Sequence, residues 1–108
     1  MYTVRIKNRR SEKPTAPWDV PVDRTGKSPL GNSFIMSEES ERDYVCDKYD
    51  AWFTKKVQAM DPRIMEELGR IDDIGRRYGK LNLFCWCAPK RCHAETVKKY
   101  LEDKYASD

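Results

Sequence analysis

Four prolines and two glycines crowd one stretch of the chain: Pro14, Pro17, Pro21, Gly26, Pro29 and Gly31, all inside RRSEKPTAPWDVPVDRTGKSPLGNSF (9–34). Proline fixes φ and removes a backbone donor, so it breaks helices and is kept out of central strands. No regular helix fits here, and the first third of the chain is left to turns and extended pieces. A connection this long in a small domain is a working loop or is disordered. Trp18, Val20, Val22, Leu30 and Phe34 supply apolar anchors. Residues 9–36 are therefore read as a long ordered or semi-ordered binding loop, in which the stretch around Trp18 to Val22 adds an edge strand.

Regular structure must come from the flanks. YTVRIKN (2–8) alternates Val4 and Ile6 with Thr3, Arg5 and Lys7, the period of a strand with one apolar face. From Ser37 to Met60, the residues Val45, Tyr49, Trp52, Phe53, Val57 and Met60 recur at steps of three and four, which predicts an amphipathic helix. Ser40 with Asp43 reads as its capping pair, and Glu38, Glu39 and Glu41 suit the positive end of the helix. Asp61-Pro62 restarts the chain as N-cap and first helical position. Ile64, Met65, Leu68 and Ile71 form the second stripe, Gly75 weakens its end, and Tyr78-Gly79 stops it. LNLFCWC (81–87), bounded by Gly79 and Pro89, reads as a buried strand. A last helix is expected from Cys92 or His93 to about Tyr105, with Val97, Tyr100 and Leu101 inward. The sum is a small single α/β domain over residues 1–108, with a short, mainly parallel sheet flanked by about three helices. A chain of 108 residues buries one modest core and no second one.

Charge narrows the partners. The 21 basic and 18 acidic residues are interleaved and leave +3. A dedicated duplex binder carries a stronger, clustered bias. Nucleic acid is thus an unlikely partner, and a weak contact through Arg5, Lys7, Arg9 and Arg10 stands as a minor alternative. No segment approaches the ~18 apolar residues of a membrane span, and MYTVRIKNRRSEK lacks the apolar core of a signal peptide. A cytoplasmic location without a membrane partner is expected. Cysteines there stay reduced, so the four cysteines point to metal binding or reactivity rather than to disulfides.

Three of those cysteines and the only histidine fall in CWCAPKRCH (85–93). The stretch runs from a strand's carboxyl end into a helix's first turn, the place where open α/β sheets bind ligands. Unpaired N–H groups and the helix dipole there favour anions, a thiolate included. One reading is a pocket with Cys92 as thiolate, His93 as acid or base near neutral pH, and Glu95 as orienting or second acid/base group. A second is zinc held by Cys85, Cys87, Cys92 and His93, chemically a complete tetrahedral set. Its spacing is unlike the two separated pairs of structural zinc sites, because adjacent residues on a helix diverge by about 100°. A third is structural, with Cys85 and Cys87 as small core residues and His93 satisfied by a backbone carbonyl. Cys46, beside the first helical stripe, reads as core. HAE (93–95) matches the H-x-E of zinc deaminases, but their P-C-x-x-C follows that motif, whereas here the cysteines precede it.

TGKSPLGNSF (25–34) is the second candidate. Gly26 and Gly31 permit close backbone approach. Ser28, Asn32 and Ser33 offer polar side chains, and Arg24 and Lys27 offer positive charge. It is not a Walker loop, since Pro21 stands where the first glycine is required.

Together, SPLGNSF and the later GKLNLFCWCAPKRCHAE resemble a bacterial and phage family, domain of unknown function 4326. Its members share a basic first strand, a G-R-x-S-P-L-G-N-P-F-like loop and a terminal G-K-x-L-x-C-W-C-x-P-x-x-C-H-x-D/E. The resemblance spans about residues 2 to 102. It marks Ser28, Pro29, Leu30, Gly31, Asn32 and Phe34 in the loop, and Cys85, Trp86, Cys87, Pro89, Cys92, His93 and Glu95 in the terminal motif. Ser33 stands where the family usually has proline, Lys27 where arginine is typical, and the insert around Trp18 to Val22 is peculiar to this chain. The resemblance implies a fold and a site, and no reaction.

The expectation is then a domain that binds a small anionic ligand, a nucleotide or nucleoside derivative, between the 25–34 loop and the 85–95 junction, and acts on it through Cys92, His93 and Glu95. Lys27, Ser28, Leu30, Gly31, Asn32, Arg91 and Trp86 are its expected ligand-binding residues. The alternative from another class is a zinc-stapled interaction module without enzymatic activity, a phage accessory or host-takeover protein that binds a host protein.

Overall fold

A computed structural model of the chain describes residues 2–24 and 27–106. Gly26, one of the two loop glycines, lies outside them.

The alternation at the start forms strand β1, Thr3–Asn8. The insert forms a short strand β2, Asp19–Pro21, as the apolar anchors there predict. Strand β3, Lys80–Cys85, lies between them and pairs parallel with both, giving the order β1-β3-β2. The register sets Thr3 opposite Lys80 and Asn8 opposite Cys85. The predicted strand over 81–87 is shorter in the structure, for a visible reason. Asn8 turns its side-chain amide onto the carbonyls of Ala88 (2.6 Å) and Trp86 (3.3 Å), and this replaces further ladder pairing.

Helix α1, Arg42–Gln58, begins later than Ser37. The Glu41 carboxylate folds back to accept from the backbone N–H groups of Ser37 and Glu38, both at 3.0 Å, and winds Glu39–Glu41 into a 3-10 turn. The capping pair is therefore Glu38 with Glu41 rather than Ser40 with Asp43. Helix α2, Pro62–Tyr78, starts as predicted: Asp61 accepts from the N–H groups of Arg63 and Ile64. It ends at Gly79, whose φ of +73° suits glycine. Gly75 does more than weaken this end. A Cβ there would stand 2.6 Å from the Tyr2 ring, so glycine is what lets β1's entry pack on the helix. Helix α3 is Ala94–Leu101, followed by a wider π turn over Glu102–Ala106.

All three helices cover one face of the sheet. Tyr49 and Phe53 of α1, Leu68 and Ile71 of α2, and Val97 and Leu101 of α3 share one cluster with Val4, Val20, Leu81, Leu83 and Cys85. Each fully buried aliphatic side chain contributes about 1.5–3 kcal/mol relative to exposure. The other face presents Thr3, Arg5, Lys80 and Asn82 around a small groove of about 230 Å³. Among the described residues no helix is long and apolar enough to cross a membrane.

Candidate functional site

Parallel pairing brings the carboxyl ends of all three strands to the same edge, and the segments leaving them build a cavity of about 430 Å³. After β2, Val22 donates its N–H to the Phe84 carbonyl (3.1 Å), which carries Asp23 and Arg24 to the cavity. After β3, Trp86 and Cys87 form one wall, and Arg91, Cys92 and His93 follow at the start of α3. Asn32, Phe34, Ile35 and Met36 form the wall opposite. Helix α1 contributes Arg42, Val45 and Cys46, and Arg10 reaches in beyond β1. The two stretches singled out in the sequence therefore face the same space.

His93 is 8% exposed. Its Nε2 lies 2.7 Å from the Val22 carbonyl, and its ring stands edge-on to Tyr49 at 5.1 Å. A carbonyl only accepts, so Nε2 carries the proton and donates. Burial pushes the imidazole pKa down, which keeps the ring neutral. Nδ1 is then the ring's basic nitrogen, on a residue that lines the cavity.

The cysteines divide into roles. Cys85 is fully buried, and its sulfur lies 3.1 Å from that of Cys92. The hydrogen bond from Cys92 outweighs burial and, with the backbone N–H groups of Cys87 and Ala88, pulls the Cys85 thiol down to about 6. The same hydrogen bond, together with burial, pushes Cys92 up. The two thiols therefore titrate as one coupled pair rather than one by one. Cys87 is half-buried on the cavity wall, within hydrogen-bonding reach of the Arg42 guanidinium. Cys46 is buried as expected, and also lines the cavity. Among the described residues no group of three or more His, Cys, Asp and Glu side chains is gathered to share a metal ion. Of the four expected zinc ligands, Cys85 and Cys92 meet each other, and the Nε2 of His93 is engaged with Val22.

The arginines also divide. Arg91 pairs with Asp43 (3.0 Å), Asp47 (2.8 Å) and Asp50 (3.5 Å), so its charge is largely answered. Arg42 holds Glu39 at 2.7 Å and donates to the Arg91 carbonyl at 2.9 Å, which seats the loop before α3. Arg24 and Arg10 enter no ion pair among the described residues. Asp23, 3% exposed, lines the same cavity. It accepts from Arg9 Nη1 and from Trp86 Nε1, each at 2.9 Å, and Arg9 also stacks over the Trp86 ring. Trp86 is held by its edge in this way and stays 41% exposed.

Other expected residues serve the loop itself. Leu30 is fully buried, and its carbonyl accepts from the Tyr49 hydroxyl at 2.6 Å. The Ser28 hydroxyl accepts from the Leu30 N–H, and Asn32 Oδ1 from the Phe34 N–H. Gly31 passes so close to Arg24 that a Cβ would stand 2.9 Å from its backbone nitrogen. Lys27 and Glu95 are exposed and do not line the cavity. Of this loop set, Asn32 alone is on the wall. Sequence reasoning missed Asp23, Arg10 and Arg42. No local pattern marks them, because each is brought in by tertiary packing.

Residues 4–103, nearly the whole chain, match the family model described as Domain of unknown function (DUF4326). No curated protein and no solved structure matches the chain.

Proposed function

The chain belongs to that family, whose description names no activity, and we propose its function from the cavity itself: the domain binds a small anionic ligand with a flat ring, a nucleotide or nucleoside derivative. The carrying observation is that Arg10 and Arg24, which enter no ion pair among the described residues, meet an exposed indole, Trp86, in one cavity of ligand size. Guanidinium groups match phosphate oxygens in pairs and are the strongest neutral-pH partners for them. Trp86 and Phe34 supply faces for a base. Any chemistry on the ligand falls to the groups on the wall, the Nδ1 of His93, the Cys92 thiol and the Cys87 thiol beside Arg42, rather than to the exposed Glu95.

Calorimetric titration with AMP, ADP, ATP, inorganic phosphate and uncharged adenosine tests this. At least one nucleotide is expected to bind more tightly than both phosphate and adenosine, with Arg24→Ala weakening it roughly tenfold, the worth of one charge-assisted hydrogen bond. Binding of none of the five, or equal binding by Arg24→Ala, refutes the reading.

A further inference from the structure

We propose that Cys85 and Cys92 are an oxidation site: a small hydroperoxide entering through the cavity converts the pair to a disulfide that ties the end of β3 to the turn before α3. The proposal does not depend on the nucleotide reading, since its readout is covalent.

The observation behind it is placement. Two free sulfurs lie 3.1 Å apart, seven residues apart in the chain. A disulfide needs about 2.0 Å, so closure asks for about 1 Å of approach rather than a rearranged backbone. Cys85 is fully enclosed, while Cys92 forms part of the cavity wall, which gives a two-oxygen molecule a way in. Cys46 sits on α1 and Cys87 beside Arg42, and neither makes a sulfur–sulfur hydrogen bond among the described residues.

The chemistry balances with the peroxide as oxidant. The Cys92 sulfur, on the cavity wall, gives up its proton and attacks one peroxide oxygen, and the O–O bond breaks. Cys92 becomes a sulfenic acid, and the departing oxygen leaves with that proton as water or alcohol. The Cys85 sulfur then attacks the Cys92 sulfur, the S–O bond breaks, and the leaving hydroxide carries off the Cys85 proton as water. The two thiols lose two electrons and the peroxide gains them.

The experiment uses the full, reduced chain, treated with a few equivalents of hydrogen peroxide with and without prior EDTA. The sample is then denatured, alkylated and digested. Trypsin cuts at Lys90 and Arg91 and so separates Cys92 from the peptide that carries both Cys85 and Cys87. The expected result is loss of two of the four alkylatable thiols, a cross-linked peptide pair, and full recovery with dithiothreitol. Cys46→Ser and Cys87→Ser should keep the cross-link. Cys85→Ser should lose it and leave a Cys92 sulfenic acid that dimedone captures. Loss of the cross-link in Cys87→Ser assigns the pair wrongly and overturns the proposal. So does retention of four thiols in both arms. Retention that EDTA abolishes shows that a resident metal holds the sulfurs, and overturns it too.

Discussion

The two walls of the cavity are built on different terms. The 85–93 wall continues a central strand, and its side chains are wedged into the core: Cys85, Cys92 and His93 are all buried. The 27–36 wall hangs mainly on one plug. Leu30 is fully buried and Phe34 packs partly against the core, but Ile35 is 75% exposed, and the side chains of Ser28 and Asn32 are engaged in local turns. One wall is therefore fixed by the fold, and the other chiefly by Leu30 and the Tyr49 hydroxyl on its carbonyl. Sites that combine a rigid floor with a lightly tethered loop keep catalytic or binding groups in place while the rim adapts.

Leu30→Ala should break this comparison most forcefully. If one plug holds the loop, the substitution costs about 2–5 kcal/mol in urea unfolding, the usual cost of emptying a buried leucine site. A cost near zero would mean the loop is held elsewhere. His93→Ala probes the other wall. It leaves the buried Val22 carbonyl without its donor and removes the contact with Tyr49, for about 1–3 kcal/mol.

The two walls should also answer pH differently. Burial lowers the folded-state pKa of His93 below the ordinary histidine value of 6.5. The unfolded chain thus takes up a proton near 6.5 that the folded chain refuses until lower pH. Stability is then complete above that value and falls as pH drops through the low sixes and below. Urea midpoints at pH 7.5 and 5.5 measure this, and the slope should shrink in His93→Gln, the lowered Cys85 thiol accounting for the remainder, while Leu30→Ala keeps it. At the small end, Ile35→Ser and Arg24→Ala should shift stability by no more than about 0.5 kcal/mol, as exposed positions do. A larger loss from Ile35→Ser would show that the rim is more firmly packed than its exposure indicates.

Much of this was legible in the chain, and what was not has a physical reason. Apolar periodicity placed the three helices and both flanking strands, because each buries one stripe. The proline-rich insert's edge strand was legible from Val20, which ends up in the core beside Leu83. The end of β3 was misplaced by two residues. Nothing local says that Asn8, far away in sequence, captures the carbonyls of Trp86 and Ala88. The meeting of the two motifs in one cavity was expected from their places at strand ends. The pairing of the Cys85 and Cys92 sulfurs was not, because it depends on how the turn after β3 folds back. Asp23 stayed invisible for the same kind of reason, its partners Arg9 and Trp86 being remote in sequence.

The strand order carries a consequence in time. Both edge strands are made early, yet each waits for β3: Thr3 pairs with Lys80, and Asp19 with Asn82. The helices close over neighbours along the chain, whereas the sheet must first close a loop of most of the molecule. A nascent chain that has reached only Gly79 has no partner for either edge strand. The site, seated at the far end of β3, is assembled last of all.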